Sequence, residues 1–179
     1  MSPEANRSVP PLEYHKVYQL KKDFPDHDFT INGGFKTFDQ IKDALLPERK
    51  LKGVMIGRAA YQNSWLFADV DRVFYKRKNL GFSKKEVLYR YADFVDWWTD
   101  HRLTPMKVPK LAQPILHLFS GERHSHIFKR CLSDTEVYRD TFKNNFRDSL
   151  YNAIEVFEKL NPEALNKRPP DDDPRIITA

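Results

Sequence analysis

Hydrophobic positions change their period twice along this chain. Leu12, Val17, Leu20 and Phe24 recur at roughly helical spacing, opened by Pro10-Pro11 and closed before Pro25, and so predict a helix over "PLEYHKVYQLKKDF". The pattern then shortens. "DFTI" is a brief apolar run stopped by Asn32-Gly33-Gly34, and "KGVMI" is a second, stopped by Gly57-Arg58. Runs of this length read as strands, and the second, apolar throughout, suits a strand covered on both faces. Between them "TFDQIKDALL" places Thr37 as an N-cap and ends at Pro47. A further helical pattern runs to about residue 75. Helix, strand, helix, strand, helix is the order of a parallel α/β layer.

After residue 76 only helical periods remain. "KRKNLGFSKKE" reads as a basic linker with Ser83 as an N-cap, and helices are predicted over 84–102, 108–120, 124–133 and 136–160. In the first, Val87, Tyr91, Phe94, Val95 and Trp98 form an apolar stripe; in the last, Phe142, Phe146, Leu150, Ile154 and Phe157 do. Both stripes are expected to be bundle core. "NKRPPDDDPRIITA" has the composition of a disordered tail. The expected organisation is an α/β part over 1–76, an all-α domain over 77–160 and a tail over 161–179.

Composition narrows the class. With 179 residues, 40% hydrophobic, the chain can bury one ordinary core or two small ones. A net charge of +5 suits a polyanionic partner without demanding one. One cysteine, Cys131, excludes an internal disulfide and a cysteine-based zinc cluster. It lies in the basic stretch "HIFKRCL" and reads as a packed thiol. His101, His117, His124 and His126 share one region, but their spacing matches no zinc pattern, so no metal site is expected. No apolar run reaches the eighteen or so residues of a membrane span, and a cytoplasmic location is the expectation.

Glycine at both strand ends carries the candidate chemistry. In parallel α/β folds, ligands sit beyond the carboxyl ends of the strands, and a residue without Cβ lets backbone N–H groups close on a phosphate. In (β/α)8 barrels the recurrent phosphate site uses the last two strand-helix loops. Arg58 would add a planar fork suited to phosphate oxygens. Plain turns and a solvated arginine explain the same residues, and spacing alone leaves the two readings level.

Four blocks in order, "SPEANRSVPPLEYHKVYQLKKDFP", "INGG", "GVMIGRAAYQNSWLFADVD" and "LFSGERHSHIFKRCLSD", resemble the tRNA-dihydrouridine synthases, in particular their bacterial A-type, from residue 2 to about 133. The resemblance implies an FMN-dependent oxidoreductase: a (β/α)8 TIM barrel holding the flavin, NADPH as reductant, uridine in a tRNA D-loop as substrate, and a C-terminal helical domain that grips tRNA. The family's phosphate loops fall on Asn32, Gly33, Gly34, Gly57 and Arg58. Its tRNA-contacting loop falls on Arg7, with Glu4 where lysine is frequent. Its helical-domain arginine pair falls on His126 and Lys129, with Arg130 beside them. Histidine is mostly neutral at pH 7, so altered RNA binding is expected.

This chain has about two strand-helix units of the eight that a barrel needs. The expected fold is therefore a C-terminal fragment of a TIM barrel followed by a helical tRNA-binding domain. No catalytic residue is assigned, because the family's catalytic cysteine would precede residue 1. The chain alone is expected not to reduce uridine, and a second chain supplying the N-terminal barrel is a candidate partner. A non-catalytic tRNA-binding module is the alternative.

Overall fold

The computed structural model describes residues 11–101, 106–134 and 145–171. Arg7 and Phe142 lie outside the described residues, as do the first turns of the helix expected over 136–160. The chain forms two compact units, parting between Ala60 and Tyr61.

The first unit begins with α1 (Tyr14–Asp23). It continues through β1 (Thr30–Asn32), α2 (Phe38–Ala44), a 3-10 turn (Pro47–Arg49) and β2 (Gly53–Met55). The strands are parallel, with Thr30 opposite Gly53, Ile31 opposite Val54 and Asn32 opposite Met55. Thr37 caps α2 in a reciprocal box: its side chain takes the Gln40 amide, and the Gln40 side chain takes the Thr37 amide at 3.2 Å. Ile31, Phe35, Ile41 and Ala44 are buried and form the small core of this unit.

The helix predicted over 11–24 forms as α1, but it buries none of its residues, and Leu20 and Phe24 are exposed. The helix is held instead by two tyrosines one turn apart. Tyr14 donates to the Gly33 carbonyl, while Tyr18 receives Arg49 at 2.7 Å. Arg49 also grips the Asp43 carboxylate with both terminal nitrogens, at 2.8 and 3.1 Å. Nor is β2 covered on both faces: Met55 is 48% exposed and Val54 half-buried, because the sheet has two strands and each keeps an open edge.

The second unit is helical. After α3 (Arg58–Gln62), which spans the division, come a 3-10 stretch (Ser64–Asp69), α4 (Val70–Tyr75) and α5 (Lys84–Asp100). Then follow α6 (Val108–Ala112), α7 (Ser125–Ser133), α8 (Phe146–Leu160) and α9 (Pro162–Asn166). Phe119, Phe128 and Phe157 are its centre, with ring centroids 4.3 to 5.8 Å apart. Lys84 is 1% exposed; its ammonium meets Glu122 at 3.1 Å and sits 5.2 Å from the Trp65 and Phe119 rings. Burial pushes the Lys84 ammonium below its ordinary range. Burial would raise Glu122, but hydrogen bonds from Lys167 and Lys84 hold it below the usual carboxylate range.

The boundary expected at residue 76 falls instead at 60/61. Residues 61–79 are tied to the helices: Ser120 donates to the Gln62 carbonyl at 2.5 Å, and Asn79 bridges Asp69 at 2.7 Å and the Pro170 carbonyl at 2.8 Å. The expected single helix up to residue 75 is broken, with Arg72 and Asn79 both drawn to the Asp69 carboxylate. The helix expected over 108–120 stops at Ala112, just ahead of Pro114, which has no backbone N–H to carry the hydrogen-bond ladder on.

The tail expected to be disordered from residue 161 begins with α9. Asn161 caps it by accepting the Ala164 amide at 3.1 Å, and Leu165 is buried. The buried face of α5 is Lys84, Leu88, Ala92 and Val95, whereas Phe94 is 51% exposed. The stripe on α8 matches its expectation at Phe146, Leu150, Ile154 and Phe157, all buried.

The Ser83 and Glu86 capping box at α5 yields a pH prediction. Hydrogen bonds from the Ser83 backbone, then its side chain, then Arg168 hold the Glu86 carboxyl at about 2. A carboxylate lowered on folding adds stability above its unfolded value near 4.3, and that increment is lost as pH falls toward 2. The helical unit should therefore weaken between about pH 4.5 and 2 in denaturant titrations. Glu86→Gln should flatten that part of the profile; an unchanged slope would refute the assignment.

Candidate functional site

The parallel register determines what the strand ends can do. Asn32 pairs with Met55, so Asn32-Gly33-Gly34 and Gly57-Arg58 leave the sheet at the same edge. Adjacent strands lie about 4.8 Å apart, close enough for both loops to address one small anion. Antiparallel strands would have sent them to opposite edges.

The first loop needs glycine for two separate reasons. Gly33 has φ +123° and Gly34 φ +69°, conformations that side-chain-bearing residues rarely adopt. In addition, a Cβ on Gly33 would lie 2.8 Å from Leu12 Cδ2, and one on Gly34 would lie 2.9 Å from Leu12 Cδ1. Leu12 and Tyr14 thus cover one side of the turn, and Tyr14 stacks on Phe35 with centroids 5.4 Å apart and planes 15° from parallel. Burial, and next the neighbouring Tyr18, raise the Tyr14 hydroxyl above its ordinary range, so it is a protonated donor at neutral pH.

The other side of the turn is open. Among the described residues the Gly34 amide finds no carbonyl or side-chain acceptor. Gly57 and Arg58 are exposed, and Arg58 pairs with no carboxylate among the described residues. Asn32 is exposed at the end of β1. The groups at this end of the sheet are an amide donor, a guanidinium without a carboxylate among the described residues and glycines that leave room for close approach; these are hydrogen-bond donors, with no general acid or base among them. The role of Leu12 and Tyr14 was not visible in the sequence: residues nineteen positions apart share no periodicity.

The remaining candidate residues lie on α7 of the helical unit. His126, Lys129 and Arg130 stand at i, i+3 and i+4 and share a face. His126 and Arg130 are exposed and Lys129 is half-buried; none of the three is in an ion pair with a described residue. His117 is held below its ordinary range first by burial and then by Lys129, which leaves it neutral at pH 7. His124 lies 6.5 Å from His126, ring to ring, and His101 stacks on Trp97 at 4.7 Å. Cys131 is half-buried against the helical core, and burial raises its thiol.

Comparison with known proteins places these features in context. A family model of dihydrouridine synthases matches residues 2–155. A tRNA-dihydrouridine(20/20a) synthase of Synechocystis sp. is 40% identical over 137 residues, which cover 76% of this chain and 39% of that protein. The enzyme of the same name from Pseudomonas aeruginosa is 36% identical over 133 residues, 74% of this chain and 38% of its own length. That of Haemophilus ducreyi is 53% identical over 72 residues, 40% of this chain and 21% of its own length. The chain thus spans about two-fifths or less of the length of these relatives.

The glycine turn can be tested by substitution. Gly33→Ala should destabilise the first unit by about 1–3 kcal/mol through its positive φ and the clash with Leu12. Adding Leu12→Ala relieves only the clash, so urea unfolding should show partial recovery. A Gly33→Ala protein as stable as the parent would mean that the turn relaxes freely.

Proposed function

This chain belongs to the dihydrouridine synthase family, and we propose that it forms part of an FMN-dependent tRNA-dihydrouridine synthase acting on D-loop uridine. In that role its first unit holds the flavin phosphate and its helical unit binds tRNA. The reading is supported above all by the parallel pairing of the two strands, from whose shared carboxyl end Asn32-Gly33-Gly34 and Gly57-Arg58 both depart.

The residues fit the phosphate end of FMN. Among the described residues the Gly34 amide has no acceptor and Arg58 no carboxylate partner, and Gly57 leaves the approach clear of any Cβ. The bound group supplies hydride transfer to the uracil ring, with NADPH as the source of electrons. This chain's residues anchor and orient: a phosphate gripped by backbone N–H groups and arginine fixes one end of a long cofactor, which limits how the ring system can lie. In the helical unit His126, Lys129 and Arg130 meet the RNA backbone. Lys129 and Arg130 supply charge, whereas His126 supplies a hydrogen bond without a bidentate grip.

Titrating the purified chain with FMN and with riboflavin, read by flavin fluorescence, separates phosphate recognition from ring binding. FMN should bind at least about tenfold tighter, the effect of one charge-assisted contact, and Arg58→Ala should remove most of that preference. Electrophoretic titration with tRNA should show binding that weakens with salt and strengthens on His126→Arg. Equal affinity for FMN and riboflavin would refute the flavin half of the proposal. If tRNA still bound, a non-catalytic tRNA-binding module would remain.

A further inference from the structure

Tyr14 has a role that site composition alone does not suggest. Its hydroxyl donates to the Gly33 carbonyl, its ring stacks on Phe35, which is itself buried, and Leu12 beside it packs against both glycines. The described chain contains no cis peptide, so the carbonyl and N–H of the Gly33–Gly34 unit point in opposite directions across the peptide plane. A tyrosine bound to the carbonyl therefore directs the Gly34 N–H away from α1.

That direction is otherwise free to change. A peptide between two glycines has little steric bias, and rotating it by half a turn costs far less than between residues with Cβ atoms. The rotated form would present a carbonyl oxygen where the amide now stands. An anion would then meet an acceptor instead of a donor, and the site would repel the ligand it is built to hold.

We infer that Tyr14 is a positioning residue that locks the Gly33–Gly34 peptide with its donor outward and thereby sets the selectivity of the loop for a phosphate monoester dianion. The inference rests on the phosphate reading proposed above. Its geometric basis is the convergence of Tyr14, Leu12 and Phe35 on a turn whose opposite face is open. Tyr18 provides an internal control: it lies one turn further along the same helix and also anchors α1, but through Arg49 and away from the glycines.

The test uses the full chain, 15N-labelled, with inorganic phosphate and then FMN as probes and the Gly34 amide resonance as readout. The parent protein should show that resonance moving and saturating with phosphate. Tyr14→Phe keeps the ring and its stacking but loses the hydroxyl, and should need roughly three- to tenfold more phosphate for the same shift, the effect of one hydrogen bond. Tyr18→Phe should titrate like the parent. If Tyr14→Phe saturates at the parent concentration, the lock is wrong while the phosphate reading stands. If both variants weaken equally, the effect comes from α1 docking, and the assignment to Tyr14 falls. A parent Gly34 resonance that ignores phosphate would overturn the phosphate reading and this inference with it.

Discussion

The close approach of Leu12 and Tyr14 to a turn that has no Cβ atoms is the constraint from which the rest of the first unit follows. α1 buries none of its residues and would not dock through hydrophobic burial alone. It docks because Gly33 and Gly34 leave a surface onto which Leu12 can pack, and because Tyr14 reaches a carbonyl exposed by positive φ. The same glycines that admit the helix on one side leave an amide edge open on the other. In the proposed function, structural and binding requirements thus meet at two residues, and a side chain at either would damage both.

The helical unit solves a different problem. It has three packed phenylalanines at its centre and a buried lysine whose charge is met by Glu122 and by two aromatic faces. Breaking such a pair strands a charge, and Lys167, in the segment after α9, adds a second cation to the Glu122 carboxylate at 2.9 Å. The amide of Lys84 donating to the Lys167 carbonyl at 3.1 Å draws the same two segments together. A core of this sort leaves α7 with one buried face, at Phe128 and Leu132, and one face carrying the exposed His126 and Arg130.

Much of this was legible in the residues, for definite reasons. The strands were found because short apolar runs end in glycine, and their parallel pairing because a helix lies between them. The α8 stripe was found because Phe146, Leu150, Ile154 and Phe157 repeat at a clean helical period. Other features escaped because they depend on distance along the chain. Asn79 bonding to the Pro170 carbonyl, 91 positions away, orders a tail whose composition reads as solvent-exposed. Lys84 in the core contradicts any pattern built on hydrophobicity, and it shifts the buried face of α5 away from Phe94. The glycine loop was recognised as a candidate anion site from its position at a strand end. That half of its glycine requirement comes from Leu12 and Tyr14 could be read only from the packing.

In the proposed function, two adjacent parallel strand ends converge on one phosphate, and a crystal structure of this chain with FMN would show whether they do. The phosphate should lie at the carboxyl end of β1 and β2, with the Gly34 nitrogen and the Arg58 guanidinium both about 2.7–3.2 Å from its oxygens. A phosphate bound elsewhere, or a Gly33–Gly34 peptide turned with its carbonyl toward the ligand, would contradict it.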